Sequence, residues 1–348
     1  MKFQDLGEIA FIDRLRRRLT GAEGVEIGLG DDCAALAGFD RGRLLITTDL
    51  LLEDVHFRLT TTTPEQLGHK MLAVNLSDVA AMGGTPRFFL CALGVPADLD
   101  VEIIERMYEG ALSLADRFEV ALVGGDTNRS ESGLVLAITV MASPPKRGAL
   151  TRAGARTGDV VMVTGTLGDS ALGLKILEED RATTPHLPAF EQLTRRHLEP
   201  VPRIDVGRAL ATDRLAHAAI DVSDGLAIDA THLAVESGVG IEIDAAAIPL
   251  SPELQAVAHE LALDPVAIAA AGGEDYELLF AASPRHVPEI EDSLRRLGVP
   301  VTAIGRVTDR AGEVTIGGRP ARELRGYQHF QPGSAAVADA TNEGGSCE

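Results

Sequence analysis

Apolar residues in this chain fall into short continuous runs, separated by stretches whose apolar positions recur every three or four residues. The runs predict strands and the spaced stretches predict helices. Arg43–Thr47 is such a run, and so are Arg87–Val95, Val120–Val123, Leu134–Ala142, Val160–Thr164, Ala216–Ile220, the residues leading to Phe280, Val301–Val307 and Val314–Ile316. Helical spacing covers Phe3–Thr20, Val101–Phe118, Ala171–Glu179, Phe190–Leu198, a segment after Pro202, one following Leu226, Glu253–Leu261 and Pro265–Ala271. Thr63-Pro64-Glu65 reads as a helix start, with a hydroxyl cap, proline at the first position and an acid in the first turn. That helix is expected to run to about Met82.

Strand and helix alternate throughout, which predicts an α/β (α+β) fold. Pro144-Pro145 marks a break, dividing the chain into domains 1–145 and 146–330. A loose echo between Gly124-Gly125-Asp126 and Gly272-Gly273-Glu274 suggests two similar α/β domains without establishing a duplication. Residues 331–348 lose periodicity and turn to Ala, Gly, Ser, Asn and Glu, so a disordered tail is expected there.

Composition narrows the chemistry. Hydrophobic residues make up 45% of the 348, enough for a sizeable core, but aromatics are only 4% and Trp is absent, so Ala, Leu, Val and Ile must build it. With 52 acidic against 32 basic residues the net charge is −20. Nucleic acid and anionic membrane both require a basic face, and neither is an expected partner. The three cysteines, Cys33, Cys91 and Cys347, form no CxxC pair, which argues against a disulfide framework or zinc site and for a reducing compartment. The N-terminal stretch carries acids where a signal sequence would be apolar, and no apolar run is long enough to span a bilayer, so a cytoplasmic location is expected.

Carboxylates recur beside Gly, Ser or Thr at predicted strand and helix ends: Asp31, Asp32, Asp49, Asp78, Asp126, Asp221 and Asp224. Seven such acids cannot converge without cations. Magnesium takes one or two carboxylates per ion with waters and phosphate oxygens, so the set suits several ions on a polyphosphate. Lysine occurs only at positions 2, 70, 146 and 175, and no GxxxxGK[ST] loop exists. Metal would therefore neutralise a bound nucleotide, with an arginine such as Arg152 assisting. A calcium-binding or simply acidic protein stays open as the alternative, weakened by the lack of an EF-hand loop. The turn Gly165-Thr-Leu-Gly168-Asp169-Ser170 could hold an anion at a helix start, but matches no nucleotide fingerprint and reads better as structural.

GLGDDCA, TTDLLLEDVHF, KMLAVNLSDVAAMGG, GGDT, DVSDGL and GGEDYELLF, in this order, resemble the thiamine-monophosphate kinase family, within the superfamily of aminoimidazole ribonucleotide synthetase and selenophosphate synthetase. The resemblance spans nearly all of residues 1–330. It implies a two-domain fold like aminoimidazole ribonucleotide synthetase, with N-terminal domains paired in a homodimer. It also implies ATP as co-substrate and a direct, Mg²⁺-dependent phosphoryl transfer to thiamine monophosphate, with no general base because the attacking phosphate oxygen is already anionic. By resemblance, Asp32, Asp49, Asp78, Asp126, Asp221 and Asp224 are the Mg²⁺ ligands, with Thr48 on metal or ATP. Asp31 is either a further ligand or a group beside one. Thr47, Tyr108, Gly125, Arg152 and Ser223 fall on the ATP side, Arg152 as a charge stabiliser. His56, Glu274 and Tyr327 fall on the acceptor side, where Tyr327 is suited to stack on a thiamine ring and Glu274 to balance its positive charge. The Ser-Cys-Glu end departs from the cysteine tail of the hydrogenase-maturation relatives because Glu348 follows Cys347. Cys33 is a poor match for the reactive residue of selenophosphate synthetase.

Overall fold

The computed structural model describes residues 25–27, 31–39, 42–178 and 189–324. The helix expected over 3–20, the glycines at 28 and 30, most of the loop after 181, Tyr327 and the tail with Cys347 lie outside the described residues.

The first half is a six-stranded sheet: β1 (Val25–Ile27), β2 (Ala34–Phe39), β3 (Gly42–Leu52), β4 (Thr85–Pro96), β5 (Ala121–Ser130) and β6 (Val135–Ser143), in the order β1-β2-β3-β6-β4-β5. All pairs are antiparallel except β4 with β5. Two helices accompany it, α1 (Pro64–Ala81) and α2 (Val101–Phe118). The second half is a seven-stranded sheet of β7 (Val160–Thr164), β8 (Ala218–Asp221), β9 (Gly240–Ile243), β10 (Leu278–Ala282), β11 (Val301–Thr308), β12 (Val314–Ile316) and β13 (Arg319–Pro320). Its order is β13-β12-β9-β11-β7-β10-β8, and only β9 with β12 is parallel. Its helices are α3 (Asp169–Glu178), α4 (Ala189–Leu198), α5 (Ile204–Thr212), α6 (Leu226–Ser237), α7 (Pro252–Glu260), α8 (Pro265–Ala271) and α9 (Val287–Arg296). Two α/β domains of mixed sheet and helix result, as the alternation predicts.

Helix α1 begins as expected. Thr63 Oγ1 accepts from Gln66 N, and Gln66 Oε1 accepts from Thr63 N, closing a capping box ahead of Pro64. It is buried on almost every side. Leu67, Met71, Leu76 and Val79 belong to one core cluster with Leu45, Phe89 and Ile138 of the first sheet and Leu278 and Phe280 of the second. On a third side α1 crosses α2 at glycines. A Cβ on Gly68 would sit 1.7 Å from the Met107 carbonyl oxygen, and one on Gly110 would sit 1.9 Å from that of Glu65. Only glycine lets these backbones meet.

Two strands run further than the pattern predicts. β3 continues to Leu52, so Thr47, Thr48 and Asp49 lie inside a strand rather than at its end. The pleat explains it: Leu45, Thr47 and Leu51 are buried on one face, while Thr48 and Leu50 are exposed on the other. Likewise β5 runs through Gly124–Asn128 to Ser130. Its polar residues are tolerated because the strand is an edge, exposed along almost its whole length.

Candidate active site

Four segments bring carboxylates together where α1 passes between the sheets. Asp32 lies just before β2 and is buried. Asp78 sits in the last turn of α1, where Thr47 Oγ1 of β3 donates to its Oδ2 at 2.5 Å. Asp221 ends β8, 2% exposed, and its Oδ2 accepts from Ser77 Oγ at 2.6 Å. Oxygens of Asp32, Asp78 and Asp221 lie within 4.8 Å of one another. Asp49, two residues beyond Thr47 on the same face of β3, adds a fourth charge: burial first, then Asp224 and Asp32, raise its pKa to about 6.

The electrostatics follow from this crowding. Burial, then the charge of Asp32, pushes Asp221 up to about 8. Burial, then Asp49, Asp221 and Asp32, pushes Asp78 well above the usual carboxylate range. Asp31 rises to about 7 by burial and then by Asp32. Among the described residues one cation faces the cluster directly: Arg152 Nη2 donates to Asp32 Oδ1 at 2.7 Å, and its backbone N–H to Asp31 Oδ2 at 3.3 Å. One guanidinium does not balance four or five acids. A carboxylate donor set this close fits a hard divalent cation such as Mg²⁺.

The DVSDGL turn is ordered by a residue that the sequence pattern did not single out. Asp229, one turn into α6, accepts from the backbone N–H groups of Ser223, Asp224 and Gly225 at 3.1, 3.1 and 3.0 Å. Its carboxylate also lies with Asp224 and His232 in a second group of possible ligands. The signal was present: an acid in the first turn of a helix is placed to receive its free amides. Ser77 was missed because one hydroxyl in an apolar helix has no distinguishing pattern. The Gly165–Ser170 turn proves structural. Asp275 fills it, accepting from Gly168 N at 2.7 Å and Ser170 N at 3.3 Å.

Other predicted site residues lie elsewhere. Thr48 points to the opposite face from Thr47, donating to the Ile138 carbonyl at 2.9 Å. Gly125 and Asp126 are on β5. The register runs from Asp49 through Ile138 and Cys91 to Gly125, three strand spacings or roughly 14 Å. Asp126 is exposed and accepts from Thr127 N and Asn128 Nδ2. Tyr108 on α2 pairs its hydroxyl with Cys91, next to Gly125 in register. Within one chain, therefore, Tyr108, Gly125 and Asp126 form an edge group apart from the central acids. On the other flank, His56 follows β3 and its Nδ1 accepts from Leu52 N at 2.9 Å. Glu274 lies in the loop before β10, its backbone N–H donating to the Ser223 carbonyl at 2.7 Å, so it adjoins the DVSDGL turn.

Comparison with known proteins places this architecture. The AIR synthase related protein N-terminal domain model matches residues 30–143, and the corresponding C-terminal domain model matches residues 156–317. The chain belongs to the AIR synthase related family, and within it to the thiamine-monophosphate kinases. The thiamine-monophosphate kinase of Escherichia coli strain K12 is 41% identical over 329 residues, covering 93% of this chain and 98% of that protein. That of Aquifex aeolicus strain VF5 is 38% identical over 330 residues, covering 95% and 100%. The solved structure of AaThiL complexed with AMPPCP and TMP superposes with a TM-score of 0.84 at 37% identity, over 95% of this chain and 99% of that one. A hydrogenase maturation protein HypE in complex with ATP, at 21% identity and a TM-score of 0.65, shares the fold. The resemblance carried by the six motifs is borne out.

Proposed function

We propose that this enzyme transfers the γ-phosphoryl group of ATP directly to the phosphate of thiamine monophosphate, yielding thiamine diphosphate. The observation that carries the reading is the convergence of Asp32, Asp78 and Asp221 within 4.8 Å beside Arg152. It stands next to kinship with enzymes of that name over nearly the whole chain.

Asp32, Asp49, Asp78, Asp221 and Asp224 would hold Mg²⁺. Bound there, it would supply positive charge to offset two polyanions brought together. The chain's own residues do the rest. Arg152 is poised to turn from Asp32 to a phosphate. Thr47 fixes the rotamer of Asp78, Ser77 fixes that of Asp221, and the Asp229-ordered turn presents Ser223 to the nucleotide. His56, Glu274 and Tyr327 take the acceptor side. No side chain need remove a proton, since the attacking oxygen is already ionised.

We further propose a homodimer formed through the outer face of β4 and β5, where Phe88, Leu90, Leu122 and Val123 are exposed. Pairing there would bring the edge group of Tyr108, Gly125 and Asp126 from one chain toward the site of the other. The 1–145 and 146–330 division is retained as the domain assignment. Among the described residues no single helix is long and apolar enough to cross a membrane. Incubation with ATP, Mg²⁺ and thiamine monophosphate, followed by chromatography, tests the function. Thiamine diphosphate is the expected product, and aminoimidazole synthesis in its place would move the chain to a sibling activity.

A further inference from the structure

Lys70 is nearly inaccessible on α1, and it points at Glu274. Its Nζ lies 3.0 Å from Glu274 Oε1 and 3.3 Å from His197 Nε2. His197 Nδ1 lies 3.3 Å from Glu274 Oε2 and 3.0 Å from Ser170 Oγ. An ammonium can only donate, so Nε2 of His197 must carry the lone pair and Nδ1 the proton. Nδ1–H then donates to Ser170 Oγ, with Glu274 Oε2 3.3 Å from the same nitrogen. Each carboxylate oxygen of Glu274 thus has a buried nitrogen within 3.3 Å. The backbone is fixed as well: Glu274 has φ of 63°, in the left-handed region that non-glycine residues seldom occupy, and its amide is tied to Ser223. Lys70 and His197 side chains are 3% and 4% exposed, whereas that of Glu274 is 28% exposed. The carboxylate is clamped from behind and open in front.

The charges sharpen the point. Burial and then Lys70 hold His197 down to about 4, so the imidazole is neutral at physiological pH. Lys70 offsets the carboxylate's charge. Glu274 therefore offers no free counter-charge for a cationic ring, but two fixed oxygens with lone pairs to spare. We infer that Lys70 and His197 are positioning residues that hold Glu274 as an oriented hydrogen-bond acceptor for a donor on the phosphate-accepting substrate. This rests on the acceptor-side assignment of Glu274 above, and refines it from charge balance to hydrogen bonding.

The test is steady-state kinetics on the full chain, varying thiamine monophosphate and ATP separately. His197→Leu removes one of the two buried side chains packed behind Glu274 without leaving a charge unpaired. It should raise KM for thiamine monophosphate about tenfold, the loss expected for one misplaced hydrogen bond, with KM for ATP within about twofold. Lys70→Met is the stronger perturbation but leaves Glu274 without its buried partner. Lys70→Met combined with Glu274→Gln avoids that, and should match Glu274→Gln alone, because residues acting through one group are non-additive. Equal losses for both substrates, or additive losses in the double variant, would overturn the positioning role. A wild-type chain making no thiamine diphosphate overturns the functional reading and this role with it. A working wild type with unmoved KM values in the variants overturns this role alone.

Discussion

Replacing Asp221 by Asn should make the metal-free protein more stable while abolishing its turnover. Asp221 is 2% exposed at the end of β8, and burial followed by the charge of Asp32 raises its pKa from 3.8 to about 8. A carboxyl whose folded pKa lies above its unfolded value binds more protons when folded. Its favourable contribution is complete below 3.8 and is lost progressively as pH rises toward 8. Each pKa unit corresponds to about 1.4 kcal/mol, so at pH 7 this side chain costs up to roughly 4 kcal/mol relative to an uncharged isostere. Asn keeps an oxygen to accept from Ser77 and carries no charge to expel. Allowing for relaxation of the coupled acids, Asp221→Asn should gain roughly 2–4 kcal/mol at pH 7. The assay is urea unfolding in excess chelator at several pH values. The curves should draw together as pH falls to and below 3.8, where the carboxyl becomes protonated in either state, and separate as pH rises. Added Mg²⁺ should stabilise wild type strongly and the variant less. A variant less stable than wild type at pH 7 in chelator, or a gap that ignores pH, would refute the picture of mutually repelling acids.

Other outcomes follow from other regions. Gly68→Ala places a methyl 1.7 Å from the Met107 carbonyl oxygen, so α1 and α2 cannot close, and thermal unfolding should drop by on the order of 5 °C or more. Glu277→Gln unbalances Arg196 and Arg203, which donate to its carboxylate at 2.7 and 2.6 Å, and should lose roughly 3–5 kcal/mol at pH 7 in urea unfolding. Against the cost of burial, Arg203 and then Arg196 hold Glu277 down to about 2. Its stabilisation is therefore complete above the ordinary 4.5, and the deficit of the variant should narrow as pH falls toward 2. Val123→Glu, on the exposed edge strand, should turn the proposed dimer into a monomer in sedimentation velocity, and an unchanged mass would remove this face from the interface.

Much of the fold is legible in apolar spacing, because most predicted elements among the described residues bury the face that their pattern marks, the edge strand β5 being the exception. The boundaries fail where function intrudes. Thr47-Thr48-Asp49 reads as a strand end because polar residues rarely lie inside a strand, yet β3 carries them through, and Asp78 of the neighbouring α1 supplies a partner for the inward Thr47. Gly124–Asn128 reads as a turn for the same reason, and forms an edge strand instead. Among the acids, the GDD, SDV and DVSDG patterns point to Asp32, Asp78 and Asp221, which do converge. No single-chain pattern could show that Asp126 lies three strands away. Lys70, Ser77 and His197 escape notice because their meaning comes from partners distant in sequence, on elements that only tertiary packing brings near.

Helix α1 has hardly any side of its own. One flank rests on the first sheet, one on α2, and one on α5 and β8 of the second half. Expressed by itself, either half of the molecule would leave this segment half naked: the N-terminal piece with a greasy groove open to water, the C-terminal piece without its central peg. Neither fragment should survive as an independent unit, and the amides of residues 67–81 should be the last to exchange with deuterium in the intact chain.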